Sequence, residues 1–87
     1  MAISMRSPLT PDDERRIRLE LDQHIDSARR GRAAAACEAA RCMARLGVFD
    51  GPAAARRRQT FALWLEGVHP DVAAEGWARF LASRGGR

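Results

Sequence analysis

The chain has 87 residues, a net charge of +4 and two cysteines. This length fits one small domain, whose core is too thin to enclose a large cofactor. Two cysteines do not make a disulfide framework, and no run of about 20 apolar residues could span a membrane. The N-terminus also lacks the apolar run of a signal peptide, so we expect a cytoplasmic protein.

The basic residues are all arginine, and they are distributed unevenly along the chain. The use of arginine without lysine fits a GC-rich genome, so the total positive charge says little about function. The distribution of the arginines along the chain is more informative. Residues 27–60 contain eight arginines against Glu38 and Asp50, a net charge of +6. Residues 1–26 have a net charge of −2, and residues 61–87 are neutral overall. The middle third therefore favours an acidic partner, either a protein face or a nucleic acid.

Proline, glycine and capping residues divide the chain into elements. Residues 1–9 have no sustained period, which predicts a flexible arm before a single helical domain at 10–87. Thr10 followed by Pro11 and three acids is typical of a helix start, and Gly31 of a helix stop. The same signals recur along the chain and predict four helices, at 11–30, 32–46, 52–66 and 71–84.

The predicted helices differ in what they offer to a core. The second is rich in alanine, which permits close approach to a neighbouring helix. The third and fourth carry the aromatic residues and should form an aromatic-rich hairpin, with Asp71 as a candidate cap of the fourth helix. No segment has the alternating pattern of a strand. The sequence therefore predicts an all-α fold, a small compact bundle of about four helices.

The two cysteines and two histidines give no recognisable reactive pattern. Cys37 and Cys42 lie about 140° apart around a helix axis, so they could neither share one metal ion nor readily form a disulfide. Their simplest interpretation is as small buried side chains. A nucleophilic pair would require the fold to bring one of them against His24, which the spacing does not predict. We therefore predict no catalytic residue, no cofactor, no metal site and no enzymatic activity.

Residues 33–66 resemble a DNA-binding helix-turn-helix, because a helix, a glycine-containing turn and an arginine-bearing helix follow one another. Three features disagree with that motif. The connection as far as Pro52 is longer than the usual three or four residues. Arg56 falls where a buried aliphatic residue is expected, and residues 51–55 offer no side chain to read base edges.

We favour a small regulatory or inhibitory protein that docks on a protein partner with an acidic face. Its arginines would steer the encounter with the partner, and Phe49 would supply apolar contact. Trp64 and Trp77 are interpreted either as core residues or as surface anchors. The alternative is a nucleic-acid-binding protein that uses the degenerate helix-turn-helix at 33–66. We do not expect membrane binding. Formation of a homodimer would be another way to complete a thin core. Small helical proteins without catalytic activity are common on phages and bacterial mobile elements. The predicted partner-binding residues, on the second and third helices, are Arg41, Arg45, Phe49, Arg56, Arg57 and Arg58.

Overall fold

The computed structural model describes residues 10–50 and 54–85, and within them it contains helices and turns but no strand. The predicted all-α bundle is confirmed. The predicted arm at 1–9 and the predicted helix start at Pro52 lie outside the described residues. The helices are α1 (Pro11–Arg29), α2 (Ala33–Arg45), α3 (Ala54–Trp64) and α4 (Pro70–Gly85).

The start of α1 follows the capping signal in the sequence. Thr10 has extended backbone angles, and its hydroxyl accepts a hydrogen bond from the Asp13 amide at 3.1 Å. Pro11 occupies the first helical position, where its missing amide hydrogen costs nothing. Three acidic residues in the first turn stabilise the positive end of the helix dipole. One face of α1 is buried, at Ile17, Leu21, Ile25 and Ala28.

Helix α2 is the centre of the bundle, because its two extensive interfaces are with α1 and with α4. Its small side chains allow both neighbours to approach at once, and Ala36, Ala39 and Ala40 are completely buried. Gly47 follows the C-terminal cap of α2, and its φ of 81° is readily adopted only by glycine. The amides of Gly47 and Val48 donate to the last free carbonyls of α2, each at 3.0 Å.

Four aromatic rings form the core between α2, α3 and α4. Trp77 lies in the middle, with its ring centroid 5.0 Å from that of Phe61 and 5.3 Å from those of Phe49 and Phe80. The tilted and edge-on arrangements are those that aromatic quadrupoles favour. The predicted contact between the aromatic residues of the third and fourth helices is therefore present, and Phe49 from the preceding turn joins it.

Two expected details of α3 and α4 are corrected. Helix α3 ends at Trp64 instead of residue 66, because the following residues form the turn that contains Gly67, with φ 89°. Helix α4 begins at Pro70, so the residue that caps it is His69 and not Asp71. The His69 Nδ1 accepts a hydrogen bond from the Asp71 amide at 3.1 Å. Proline takes the first helical position, which places the cap immediately before it.

Candidate functional sites

The predicted arginines are mostly at the surface. Arg41 and Arg45 on α2 are exposed, as are Arg56 and Arg58 on α3, whereas Arg57 is half-buried. Arg41 is 3.8 Å from the Glu38 carboxylate, a distance typical of a weak exposed pair. Arg45, Arg56 and Arg58 have no ion pair with a described residue.

Phe49 does not share the surface position of these arginines. Its side chain is 4% exposed, and its ring lies against Trp77 and Phe80 at centroid distances of 5.3 and 5.9 Å. A residue so enclosed cannot contact a partner without opening the core. The expected apolar contact of the arginine surface therefore has to come from other residues.

The arginines of α2 and those of α3 are not brought together by a packed helix pair. Helix α2 packs against α1 and α4, and α3 makes its main contact with α4. The described residues 46–50 after α2 are all non-helical, and these five already exceed the three or four residues of a helix-turn-helix connection. Arg56 is exposed where that motif buries an aliphatic side chain. Two of the three disagreements with the motif that the sequence shows therefore persist in the structure.

A shallow groove between α3 and α4 places one of the predicted arginines beside apolar surface. Its volume is about 150 Å³. Phe61 and Trp77 form its floor and are 1% and 8% exposed, so the groove reaches the aromatic core. The lining residues are Arg58, Phe61, Ala62, Pro70, Ala73, Ala74 and Trp77.

A second groove, of about 300 Å³, lies between α1 and α3 and has a more polar lining. Trp64 is half-buried there, with the Arg18 guanidinium carbon 6.0 Å from its ring centroid, within cation–π range. At the other end Arg29 Nε donates to the Glu66 carbonyl at 3.0 Å. These contacts attach the C-terminal end of α3 to α1, so both arginines have structural roles.

The fold also brings Cys42 against His24, which the sequence did not predict. Ligand atoms of Glu20, His24 and Cys42 all lie within 4.8 Å of one another. Glu20 and His24 share one face of α1 because they are four residues apart, and Cys42 faces them from α2. Glu20 is the member that sequence reasoning missed. The four-residue spacing between Glu20 and His24 can be seen in the sequence. The rotation of α2 against α1, which brings Cys42 to them, cannot.

The environment of Cys42 is unfavourable for a nucleophile. Its side chain is 4% exposed, and burial raises the pKa of the thiol, with a further contribution from the Glu20 carboxylate. Reactive cysteines instead have a lowered pKa in an electropositive, accessible environment. Both cysteines are free and buried, in agreement with their interpretation as small buried side chains.

Comparison of the chain with protein-family models, with curated proteins and with solved structures finds no match. None of the described helices has the length and apolar character needed to cross a bilayer.

Proposed function

We propose that this protein is a small non-enzymatic binding protein, of regulatory or inhibitory type, that docks on a protein partner with an acidic face. The observation that carries the proposal is the groove between α3 and α4, where Arg58 borders accessible apolar surface formed by Ala62, Pro70 and Ala73, above the buried rings of the core. Interfaces gain most of their energy from a buried apolar centre with arginine or aromatic anchors. The groove offers both within a few residues.

The charges around the groove indicate the chemistry of the partner. Arg58 beside the groove is exposed, as is Arg56 elsewhere on α3, and neither has an acidic neighbour in ion-pair range among the described residues. A guanidinium group is weakly hydrated and can bind a carboxylate with two parallel hydrogen bonds. A partner that places a carboxylate at Arg58 and an apolar side chain in the groove would therefore complement this surface.

Nucleic-acid binding remains the alternative, and the structure provides less support for it. A recognition helix has to be held against its preceding helix, whereas α2 packs on α1 and α4. The non-helical residues 46–50 after α2 also exceed the turn of that motif. An exposed arginine cluster alone could still contact phosphates, so the experiment has to separate the two classes.

The test is affinity capture from the source cell with three variants of the intact protein. Arg58→Gln removes the charge beside the groove, and Ala74→Glu places a carboxylate in its exposed lining. Arg15→Gln removes one exposed charge from the start of α1 as a matched control. Circular dichroism should confirm that all three fold.

We expect the wild type and the α1 control to retain the same protein, and the two groove variants to lose at least about tenfold in affinity for it. Retention that is equal in all variants would contradict the groove. Capture that disappears after nuclease treatment, with affinity for a DNA or RNA probe falling steeply between about 50 and about 200 mM salt, would instead establish the nucleic-acid alternative.

A further inference from the structure

Outside the groove between α3 and α4, the described residues contain one group of three side chains whose donor atoms suit a soft or borderline metal ion. The group combines an imidazole nitrogen, a thiol sulfur and a carboxylate oxygen, from His24, Cys42 and Glu20. We propose that these three residues form a zinc site that joins α1 to α2.

The geometry is close to that of a bound ion. Zinc bonds of about 2.0–2.3 Å place neighbouring ligand atoms of a tetrahedral site about 3.3–3.6 Å apart. The three donor atoms already lie within 4.8 Å of one another. Small rotations of the Glu20 and His24 side chains would close the remaining gap of about one ångström. Both side chains are half-buried, so they are restricted but not locked.

The three ligands come from two elements that the fold holds together independently. Glu20 and His24 are one turn apart on α1, and their spacing is a common one for two ligands on a helix. Cys42 lies on α2, whose packing against α1 is one of the two main interfaces of the bundle. The ion would therefore bind a preformed site, with a fourth position left for water on the half-exposed side.

The local charges favour a cation. The carboxylates of Glu20 and Glu38 and the guanidinium of Arg45 are the charged groups that act on Cys42. Because Glu38 lies 3.8 Å from Arg41, the carboxylate that chiefly favours a cation beside the buried sulfur is that of Glu20. Magnesium and calcium prefer sites made entirely of oxygen, whereas mixed nitrogen, sulfur and oxygen ligands are typical of zinc.

The chain contains a matched pair of residues that should not bind. Cys37 lies on the same helix and is similarly buried, at 7% against 4% for Cys42. It is not a member of the three-residue group. His69 is the other histidine, and its Nδ1 is engaged as the cap of α4. Replacing these two residues therefore controls for the loss of a thiol and of an imidazole.

The experiment titrates the untagged, metal-free, reduced protein with cobalt and with zinc. Cobalt reports on the ligands directly, because a thiolate bound to tetrahedral cobalt adds a charge-transfer absorption and intense visible bands. Zinc affinity is measured by displacing the cobalt. The variants are Cys42→Ala, His24→Gln and Glu20→Gln, with Cys37→Ala and His69→Gln as controls.

We expect a single equivalent of cobalt to produce the thiolate absorption in the wild type and both controls, and zinc to remove it. Cys42→Ala should abolish the absorption. Losing a residue that only hydrogen-bonds to a metal ligand typically weakens metal affinity by about 10–100-fold, and His24→Gln and Glu20→Gln should weaken it by more. Zinc at 100-fold excess over its dissociation constant should raise the melting temperature of the wild type by about 10–20 °C.

Three results would overturn the proposal. The first is a wild-type protein that binds no cobalt, or binds it without a thiolate absorption. The second is binding that Cys37→Ala reduces as much as Cys42→Ala does. If Cys42→Ala fails to fold, the zinc affinity of His24→Gln is the deciding measurement, because glutamine at this half-exposed position should leave the fold intact. A folded His24→Gln protein with wild-type zinc affinity would also refute the site.

Discussion

Phe49 is an aromatic residue in a turn, and its neighbours make it part of the core. Its side chain is 4% exposed, against Trp77 and Phe80. Phe49→Ala should lower the free energy of unfolding by about 3–5 kcal/mol, because it leaves a cavity among the rings. Leu63→Ala is the control, since Leu63 is 77% exposed. That change should stay within about 0.5 kcal/mol in urea denaturation followed by circular dichroism.

Equal losses from Phe49→Ala and Leu63→Ala would contradict the placement of Phe49. Its position was not predictable from the sequence, because helical periodicity does not extend into a turn. An aromatic residue between Gly47 and Pro52 fits a surface anchor as well as a core residue. The exposure of Arg56 and Arg58 was easier to predict, since charged side chains are rarely buried without a partner.

Asp13 couples the start of α1 to pH. Hydrogen bonding from Thr10, followed by that from Arg16, lowers the pKa of its carboxyl below the ordinary value of 3.8. A lowered pKa in the folded state stabilises the protein above pH 3.8, and that contribution is lost as the pH falls through the folded-state value. Asp13→Asn should therefore destabilise the protein at pH 7 and have progressively less effect in acid.

A double-mutant cycle with Thr10→Ala isolates this contribution. Urea denaturation of the wild type, both single variants and the double variant gives the coupling energy between the two residues. We expect a favourable coupling at neutral pH that shrinks as the pH falls below 3.8. A coupling that does not change with pH would show that the carboxylate charge plays no part in the cap.

At the level of the helices, the close contact between α2 and α4 depends on Gly76. A methyl group at this position would collide with the Ala36 side chain and lie 3.0 Å from the backbone of Ala36 and Cys37. Alanine favours helix by about 1 kcal/mol over glycine, but overpacking a tight interface costs about 1–3 kcal/mol and involves backbone here. Gly76→Ala should therefore destabilise the protein, as measured by the midpoint of urea unfolding.

Ala78→Ser is the control for Gly76→Ala, because Ala78 is exposed on the same helix. It should shift the midpoint little. A Gly76→Ala protein more stable than the wild type would show that the two helices can separate at no cost.

The cap at His69 and the short α3 illustrate the limit of predicting helix ends from the sequence. Pro70 and Gly67 locate the break between the two helices, but they do not tell which residue ends α3 or which residue caps α4.

The sequence predicted the helices better than their arrangement, and the reason is physical. Starts and stops depend on a few neighbouring residues, such as Thr10 and Pro11, so they can be read locally. Which faces meet depends on contacts between distant residues. The alanine face of α2 implied close packing, but not that α1 and α4 would share it. The group of Glu20, His24 and Cys42 was hidden for the same reason.

For the molecule as a whole, the packing divides the bundle into a firmly held part and a loosely held helix. The main interfaces are those of α2 with α1 and with α4, and seven residues of α2 are buried. Among the described side chains of this region, those that hold α3 are chiefly Phe61 and nearby Leu65, with half-buried Trp64 at its end. The proposed docking groove lies along this loosely held helix, so partner binding and the order of α3 should be coupled.

Native-state hydrogen exchange can measure this division. The free energy of opening depends on how much apolar contact an element must give up, so α3 should open without disrupting α2. We expect amides of α3 to exchange faster than those in the middle of α2, which should exchange only on global unfolding. Phe61→Leu should accelerate exchange in α3 more than it does at the α1–α2 interface. Equal protection of α2 and α3, with equal responses to Phe61→Leu, would mean that the four helices unfold as one cooperative unit.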